Sequence, residues 1–453
     1  MRRHSFVARL GPSDNADIPI IQADALRTEI RFIDGYRRLG YGLGQIIEEL
    51  TGRGVTPSET AADLAILAAM VTAADTHISR AVDAQDSWTR EIDLYIPTLE
   101  PDRWRAAAPL LERTLKFLTG DYWRLFFRER PRGHVAVVRP QRARLQPNLT
   151  CVCLFSGGLD SFIGAIDLLA GGHHPLLVSH YWENSTSSQE TCARRIAAVY
   201  GDIVPRHVRA RVGFDQTDFA REMDTESSTR GRSFLFFALA ALAASGMAGR
   251  TTMYVPENGL ISLNVPLDIL RVGACSTRTT HPFYMARWQD LLDTLGIDAV
   301  VENPYRFATK GEMLMRCSNA ALVQRHVAET ISCSSIAKAR WRGLAPGHCG
   351  FCVPCLIRRA AITAAFGNDP TRYTLANLTE RQLDAASAEG EHIRAFQMMA
   401  RRLRRQAALP GILVHKSGPL SDYPAADVVQ YAEVFRRGIE EVDSVTAAVV
   451  VRA

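Results

Sequence analysis

The sequence predicts an α/β protein built on a doubly wound parallel sheet, with a zinc-binding cysteine segment, a mainly helical N-terminal region (residues 1–145) and a helical C-terminal extension (366–453). Three observations carry that expectation. From Cys151 onward, short apolar runs alternate with helical patterns, the signature of repeated βα units. One run, Cys151-Val-Cys-Leu-Phe155, breaks into Ser156-Gly157-Gly158-Leu159-Asp160-Ser161, a strand feeding a glycine-rich turn. Four cysteines, Cys333, Cys349, Cys352 and Cys355, fall in one short segment.

In chain order, apolar residues recur at helical spacing over 64–70 and 110–118. Between them Ile92, Leu94 and Ile96 alternate with Glu91, Asp93 and Tyr95, which is strand periodicity. An Arg- and Pro-rich stretch, 131–148, reads as a linker. A central domain over 150–365 follows, with strands expected at 152–155, 176–181, 203–208, 252–255 and 299–302. Its helices are expected at 161–169, 188–200, 233–244, 284–295 and 310–318. In such a sheet the ligand sits at the carboxyl ends of the strands, which places Ser156, His180, Glu257 and Asn303 around one crevice. Beyond 366 the pattern is helical again, with arginines at 401, 402, 404 and 405 that suit a solvated face.

At 453 residues the chain exceeds one compact core. Hydrophobic residues make up 47% and charged residues 22%, which is ordinary globular usage, and a net charge of +5 gives little reason for direct nucleic-acid binding. There is no long uncharged apolar stretch and no secretory pattern at the start, so a cytoplasmic, membrane-free protein is expected. In a reducing compartment the nine cysteines point to metal before disulfides.

The 156–161 loop carries the chemistry. Adjacent glycines let successive backbone N–H groups converge on an anion at a helix start. A Walker loop is excluded, because no Lys-Ser/Thr pair follows the glycines. Gly157 and Gly158 supply donors to a departing pyrophosphate, Ser156 and Ser161 supply hydroxyls, and Asp160 suits Mg²⁺. A Ser/Asp helix cap fits the same residues. Four thiolates from Cys333, Cys349, Cys352 and Cys355 complete a tetrahedral zinc site with no open position, hence a structural one. An iron–sulfur cluster is the alternative, and His348 is a lesser candidate ligand. Cys275 and Cys317 read as packing residues, and Trp88, Trp104 and Trp123 as core.

The Ser-Gly-Gly-x-Asp-Ser loop resembles the PP-loop of ATP pyrophosphatases. Followed by Cys…Cys-Gly-x-Cys-x-x-Cys-x-x-Arg, it resembles 7-cyano-7-deazaguanine synthase (QueC) over residues 150–365. His180-Tyr181, Arg230-Gly231-Arg232-Ser233 and Thr309-Lys310-Gly311-Glu312 match further landmarks of that family. The resemblance implies a PP-loop/HUP-like fold, ATP and Mg²⁺ as reactants, zinc on the four cysteines, and adenylation of a 7-deazaguanine carboxylate. It places Leu159 with the ATP-binding loop, His180 and Tyr181 near adenine or substrate, Arg232 near substrate and phosphates, and Lys310 near phosphate. Arg230 and Arg232 equally fit solvated loop charges, and Lys310 with Glu312 a charged first helical turn. Asn258, Ser262 and Asn264 face the base or cap the loop.

The sequence also departs from the stand-alone synthase. Fifteen residues, with Arg340-Trp341-Arg342 among them, separate Cys333 from Cys349, and both flanking regions are additional. Residues 86–91 (Asp-Ser-Trp-Thr-Arg-Glu) and 118–123 (Leu-Thr-Gly-Asp-Tyr-Trp) resemble the QueC-like component (QatC) of the Qat anti-phage defence system. That resemblance implies a ligase that transfers the activated acid to an amine, such as the N-terminus of a partner protein from the same operon, to give an amide. A biosynthetic synthase using ammonia and a non-catalytic nucleotide-sensing subunit are the alternatives; tRNA thiolation lacks an evident relay cysteine and basic RNA-binding region.

Overall fold

The computed structural model describes residues 2–34, 38–84, 87–139, 148–181, 186–201, 206–220, 222–226, 228–268, 278–334, 336 and 347–452. Asp86, Cys275, the Arg340-Trp341-Arg342 insertion, the middle of the 131–148 linker and the start of the strand expected at 203–208 lie outside them.

The central sheet has five parallel strands, β5 (Cys151–Leu154), β6 (Pro175–His180), β7 (His207–Ala210), β8 (Thr251–Tyr254) and β9 (Ala299–Glu302), in the order β7-β6-β5-β8-β9. The order reverses between β5 and β8, so the crevice expected of a doubly wound sheet opens beyond Leu154 and Tyr254. Its inner strands β5 and β6 are buried on both faces and alternate between two cores. Val152, Leu154, Leu176 and Val178 face α7 (Arg232–Ala244) and the N-terminal half, whereas Cys151, Cys153 and Leu177 face α5 (Leu159–Ala170) and α6 (Thr186–Tyr200). The expected helices at 284–295 and 310–318 are α9 (Pro282–Leu295) and α10 (Lys310–Arg316). The short α8 (Gly259–Leu263) and α11 (Ala320–His326) fill in between.

The N-terminal region carries more helix than strand, as its periodicity suggests, but the helices wrap a second parallel sheet, of which the sequence reading found one strand. That sheet comprises β1 (Arg3–Arg9), β2 (Leu26–Arg31), β3 (Glu91–Thr98) and β4 (Tyr122–Glu129), ordered β2-β1-β3-β4. With it go α1 (Leu43–Gly52), α2 (Glu59–His77), the single turn α3 (Arg80–Asp83) and α4 (Pro101–Thr119). Helix α2 starts at Ser58, whose side chain accepts from Ala61 N, and is buried on nearly every side because it is held between β3 and α7.

After the cysteine segment come α12 (Val353–Phe366), α13 (Ala388–Arg405), α14 (Leu409–Leu413) and α15 (Ala425–Thr446), with a two-residue parallel pair joining Leu383–Asp384 to Val451–Arg452. The cysteines share one apolar core with α12, α13 and α15. No helix among the described residues is long and apolar enough to cross a membrane.

Candidate active site

The turn between β5 and α5 takes its shape from Gly157, whose φ of +76° lies in the left-handed region. A Cβ there would stand 2.8 Å from both Gln189 N and Ser188 Oγ, so only glycine fits between the loop and α6. Ser156 Oγ accepts from Gly158 N at 3.2 Å and lies 3.2 Å from Ser161 Oγ, which donates to Gly158 O. Both hydroxyls and the start of α5 therefore face the crevice together. Leu159 is buried beneath them.

Asp160 turns away from the crevice into the protein. One of its oxygens lies 2.6 Å from Lys310 Nζ, and the other accepts from Asn258 N at 3.1 Å and Asn258 Nδ2 at 2.8 Å. Burial disfavours its charge, but Lys310 and these bonds outweigh it and hold the carboxyl at about 2. Glu257, next to Asn258, is pushed well above the usual carboxylate range by burial and then by the charge on Asp160. The proton of this pair belongs to Glu257. Both oxygens of Asp160 are committed to protein partners, so a divalent cation in the crevice would find its carboxyl ligand in Glu257, once that group gives up its proton.

Lys310 opens α10, whose first turn is a capping box: Thr309 accepts from Glu312 N and Glu312 accepts from Thr309 N. From α15, Glu441 accepts from Thr309 Oγ1 at 2.6 Å and from Gly311 N at 3.1 Å. Arg437 pairs with Glu312. The C-terminal extension thus fixes the turn that carries Lys310.

Ser156, Ser161, His180, Arg230, Arg232 and Glu257 line a cavity of about 370 Å³ at the carboxyl edge of the sheet. Arg232 reaches into it with no carboxylate partner among the described residues, and the protein around it depresses its pKa by desolvation. His180 is buried, and its Nε2 donates to Val212 O at 2.9 Å. Burial and then the Arg232 charge lower it to about 4, so it is neutral at neutral pH. Tyr181 instead stacks with Arg209, whose guanidinium lies 4.5 Å from the ring centroid.

The loop preceding α7 is held from the N-terminal half. Asp75 of α2 accepts from Gly231 N at 2.7 Å, and Arg230 donates to Thr119 O while lying 5.0 Å over the Trp88 ring. Asp75 is itself fixed by Arg90 and Arg80, which also bind Asp121. Trp104 and Trp123 are core residues, while Trp88 is 36% exposed and serves Arg230.

The four cysteine sulfurs all lie within 4.8 Å of one another and are buried. The Cys333–Cys352 and Cys349–Cys355 separations, 3.8 and 3.9 Å, match the edge of about 3.8 Å that a tetrahedron with Zn–S bonds of about 2.3 Å requires. Cys349 N donates to Cys333 Sγ and Cys352 N to Cys349 Sγ, as a thiolate knuckle demands. Gly350, at φ +93°, permits the turn; a Cβ would meet Leu375 O at 2.7 Å. His348 stands outside the set and accepts from Ser332 N. The cluster also braces the loop: Ile331 N donates to Gly157 O at 3.0 Å, and Arg358 donates to Thr330 and Ser332.

Asn258 proves to be a cap and a brace, accepting from Ile261 N while its amide holds Asp160. Ser262 donates to Thr280 O and Asn264 ends α8 in the left-handed region, so neither is part of the cavity wall. Cys317 is buried in the α5 core, the packing role expected for it. Sequence reasoning missed the pairing of Glu257 with Asp160 and the contribution of α2. A carboxylate directly after a strand at the sheet's switch point was the available signal for Glu257.

Comparison with known proteins finds 7-cyano-7-deazaguanine synthases. That of Cupriavidus taiwanensis is 30% identical over 244 residues, covering 50% of this chain and 97% of the relative. The protein of that name from Methanoregula boonei is 24% identical over 238 residues, covering 50% of this chain and 99% of its own. The Cupriavidus necator protein is 30% identical over 244 residues, with 50% and 97% covered. No family model matches, and no solved structure matches.

Proposed function

The chain belongs to the 7-cyano-7-deazaguanine synthase family, and from that premise we propose that it is an ATP-dependent ligase that adenylates a 7-deazaguanine carboxylate and transfers the acyl group to an amine. The observation that carries this reading is the left-handed Gly157 turn facing Arg232, a cation without a carboxylate partner among the described residues, across one cavity.

In the first half-reaction a carboxylate oxygen of the acid attacks the α-phosphorus of ATP, and the bond between the α-phosphorus and the bridging oxygen to the β-phosphate breaks. Backbone N–H groups of the loop, with the Ser156 and Ser161 hydroxyls, receive the charge that gathers on the departing pyrophosphate. Mg²⁺ would neutralise phosphate charge there, with Glu257 as its protein ligand. In the second half-reaction the amine nitrogen attacks the acyl carbon, the C–O bond to AMP breaks, and the amine's surplus proton passes to water. Arg232, which lines the cavity, holds the phosphate of the leaving AMP in this reading. Zinc on the four cysteines takes no part in bond making, because all four positions are filled by thiolates.

The acceptor we propose is a protein amine, the N-terminus of a partner encoded with this chain, in an anti-phage defence setting of the Qat type. Its support is that the matched relatives account for half of this chain, while the other half builds walls beside the site. The names of those relatives favour a second reading, in which ammonia is the amine, the first product is the amide, and a second ATP adenylates the amide oxygen, which leaves as AMP while the nitrogen gives up its two protons to form the nitrile. Both readings are tested by incubating the protein with ATP, Mg²⁺, 7-carboxy-7-deazaguanine and either ammonia or a peptide amine. Pyrophosphate release that requires the acid supports adenylation, and its absence ends both readings; product mass then separates nitrile from peptide amide.

A further inference from the structure

A second cavity, of about 510 Å³, lies between α2 and the segment after β7. It shares His180, Thr229 and Arg232 with the loop cavity, so the two meet at these residues. Its outer wall is made of hydrogen-bond acceptors. Thr72 Oγ1 donates to Ala68 O and Thr76 Oγ1 to Thr72 O, at 2.8 and 2.7 Å, so both hydroxyl protons are spent on the helix; with His77 Nδ1 2.9 Å from Thr76 Oγ1, two lone pairs on Thr72 and one on Thr76 remain for a ligand. Asp215 and Glu226 add carboxylates from the facing segment, Asp75 being held by Arg80 and Arg90 and Glu226 by Arg80, and among the described lining residues Arg232 alone carries a fixed positive charge.

Such a lining offers acceptors to N–H donors and no cation along its outer part, while its inner end carries the cation suited to AMP. The relatives cover nearly their whole length with half of this chain, and the motifs that resemble their family, at 156–161 and 333–355, lie in the central domain. Helix α2 is therefore an addition to the part of the molecule that activates the acid. The acceptor is the reactant that an addition can change.

Resting on the ligase reading above, we propose that this second cavity is the acceptor site, which receives the terminal amine of an extended peptide and delivers it past His180 and Arg232 to the acyl-adenylate. Its volume falls in the range of small-molecule sites, about 300–1,000 Å³, and suits the first residues of a chain with small side chains.

The test compares the two half-reactions in the full-length protein, using acid-dependent exchange of labelled pyrophosphate into ATP for the first and amide formation with glycylglycine for the second. Thr76→Trp, which fills the cavity, is expected to lower amide formation relative to exchange by at least tenfold. Thr76→Val, which keeps the shape and removes the lone pairs, is expected to raise the KM for glycylglycine several-fold and to keep the fold if the tryptophan does not. Loss of exchange in step with amide formation in the valine protein would assign the cavity to the deazaguanine ring or to ATP and overturn the proposal. Unchanged glycylglycine kinetics in that protein would also overturn it. A wild-type protein without acid-dependent exchange would instead refute the ligase reading, a result separate from either of these.

Discussion

Lys310 and Asp160 are buried ions whose partners are each other, and such a pair constrains the site more than it stabilises the fold. Asp160→Asn leaves the ammonium uncompensated, and a loss of about 3–5 kcal/mol in denaturant unfolding is expected, together with loss of acid-dependent pyrophosphate exchange. Replacing both residues, with Lys310→Met added, should recover much of the stability and none of the exchange. A double variant as unstable as Asp160→Asn would contradict the pairing. Gly157→Ala should abolish exchange, because the alanine meets both an unfavourable φ and the backbone of α6. At this scale the sequence was legible where the site is contiguous: residues 156–161 announce their own geometry. The pairing of Glu257 and Asn258 with Asp160 was not, because they meet it across about a hundred residues and no local pattern encodes that meeting.

Among elements, the cysteine segment and the nucleotide loop behave as one unit, since Ile331 is hydrogen-bonded to Gly157 two residues before the first ligand. Cys352→Ser is therefore expected to lower the zinc content measured by elemental analysis and also to weaken ATP binding, by several-fold in a titration. Iron in the purified protein would refute the zinc assignment. The central strands were readable because their apolar runs are short and bounded, with β5 and β6 buried on both faces; β7 starts at His207, near the end of the run expected at 203–208. The N-terminal sheet was read only at β3. In β2 the inward Thr28 and Ile30 alternate with Arg27, Glu29 and Arg31, a usable pattern, but β1 is buried along most of its length and offers no alternation.

Over the whole molecule a single apolar core runs from the N-terminal sheet through α2 and α7 to the central sheet. A fragment beginning near residue 150 would expose the face of α7 that α2 covers, and it is expected to aggregate where the full chain stays in solution, as size-exclusion chromatography would report. The same core holds histidines in their neutral form: burial, and then nearby arginines, lower His180 to about 4 and His207 and His281 to about 3. In the unfolded chain they titrate near 6.5, so the unfolded state binds more protons between these limits. Stability is complete above about pH 6.5 and falls as the pH drops toward 4, by about 1.4 kcal/mol per pH unit for each histidine. Denaturant midpoints compared at pH 7.5 and 5.5 check this, and equal midpoints would contradict it.

The bonds from Glu441 to Thr309 and Gly311 also set a timetable. A nascent chain emerging from the ribosome makes its phosphate loop by residue 161, yet the turn bearing Lys310 waits for Glu441, made 132 residues after Thr309. The growing protein therefore carries an unfinished site until α15 has emerged and folded back onto α10.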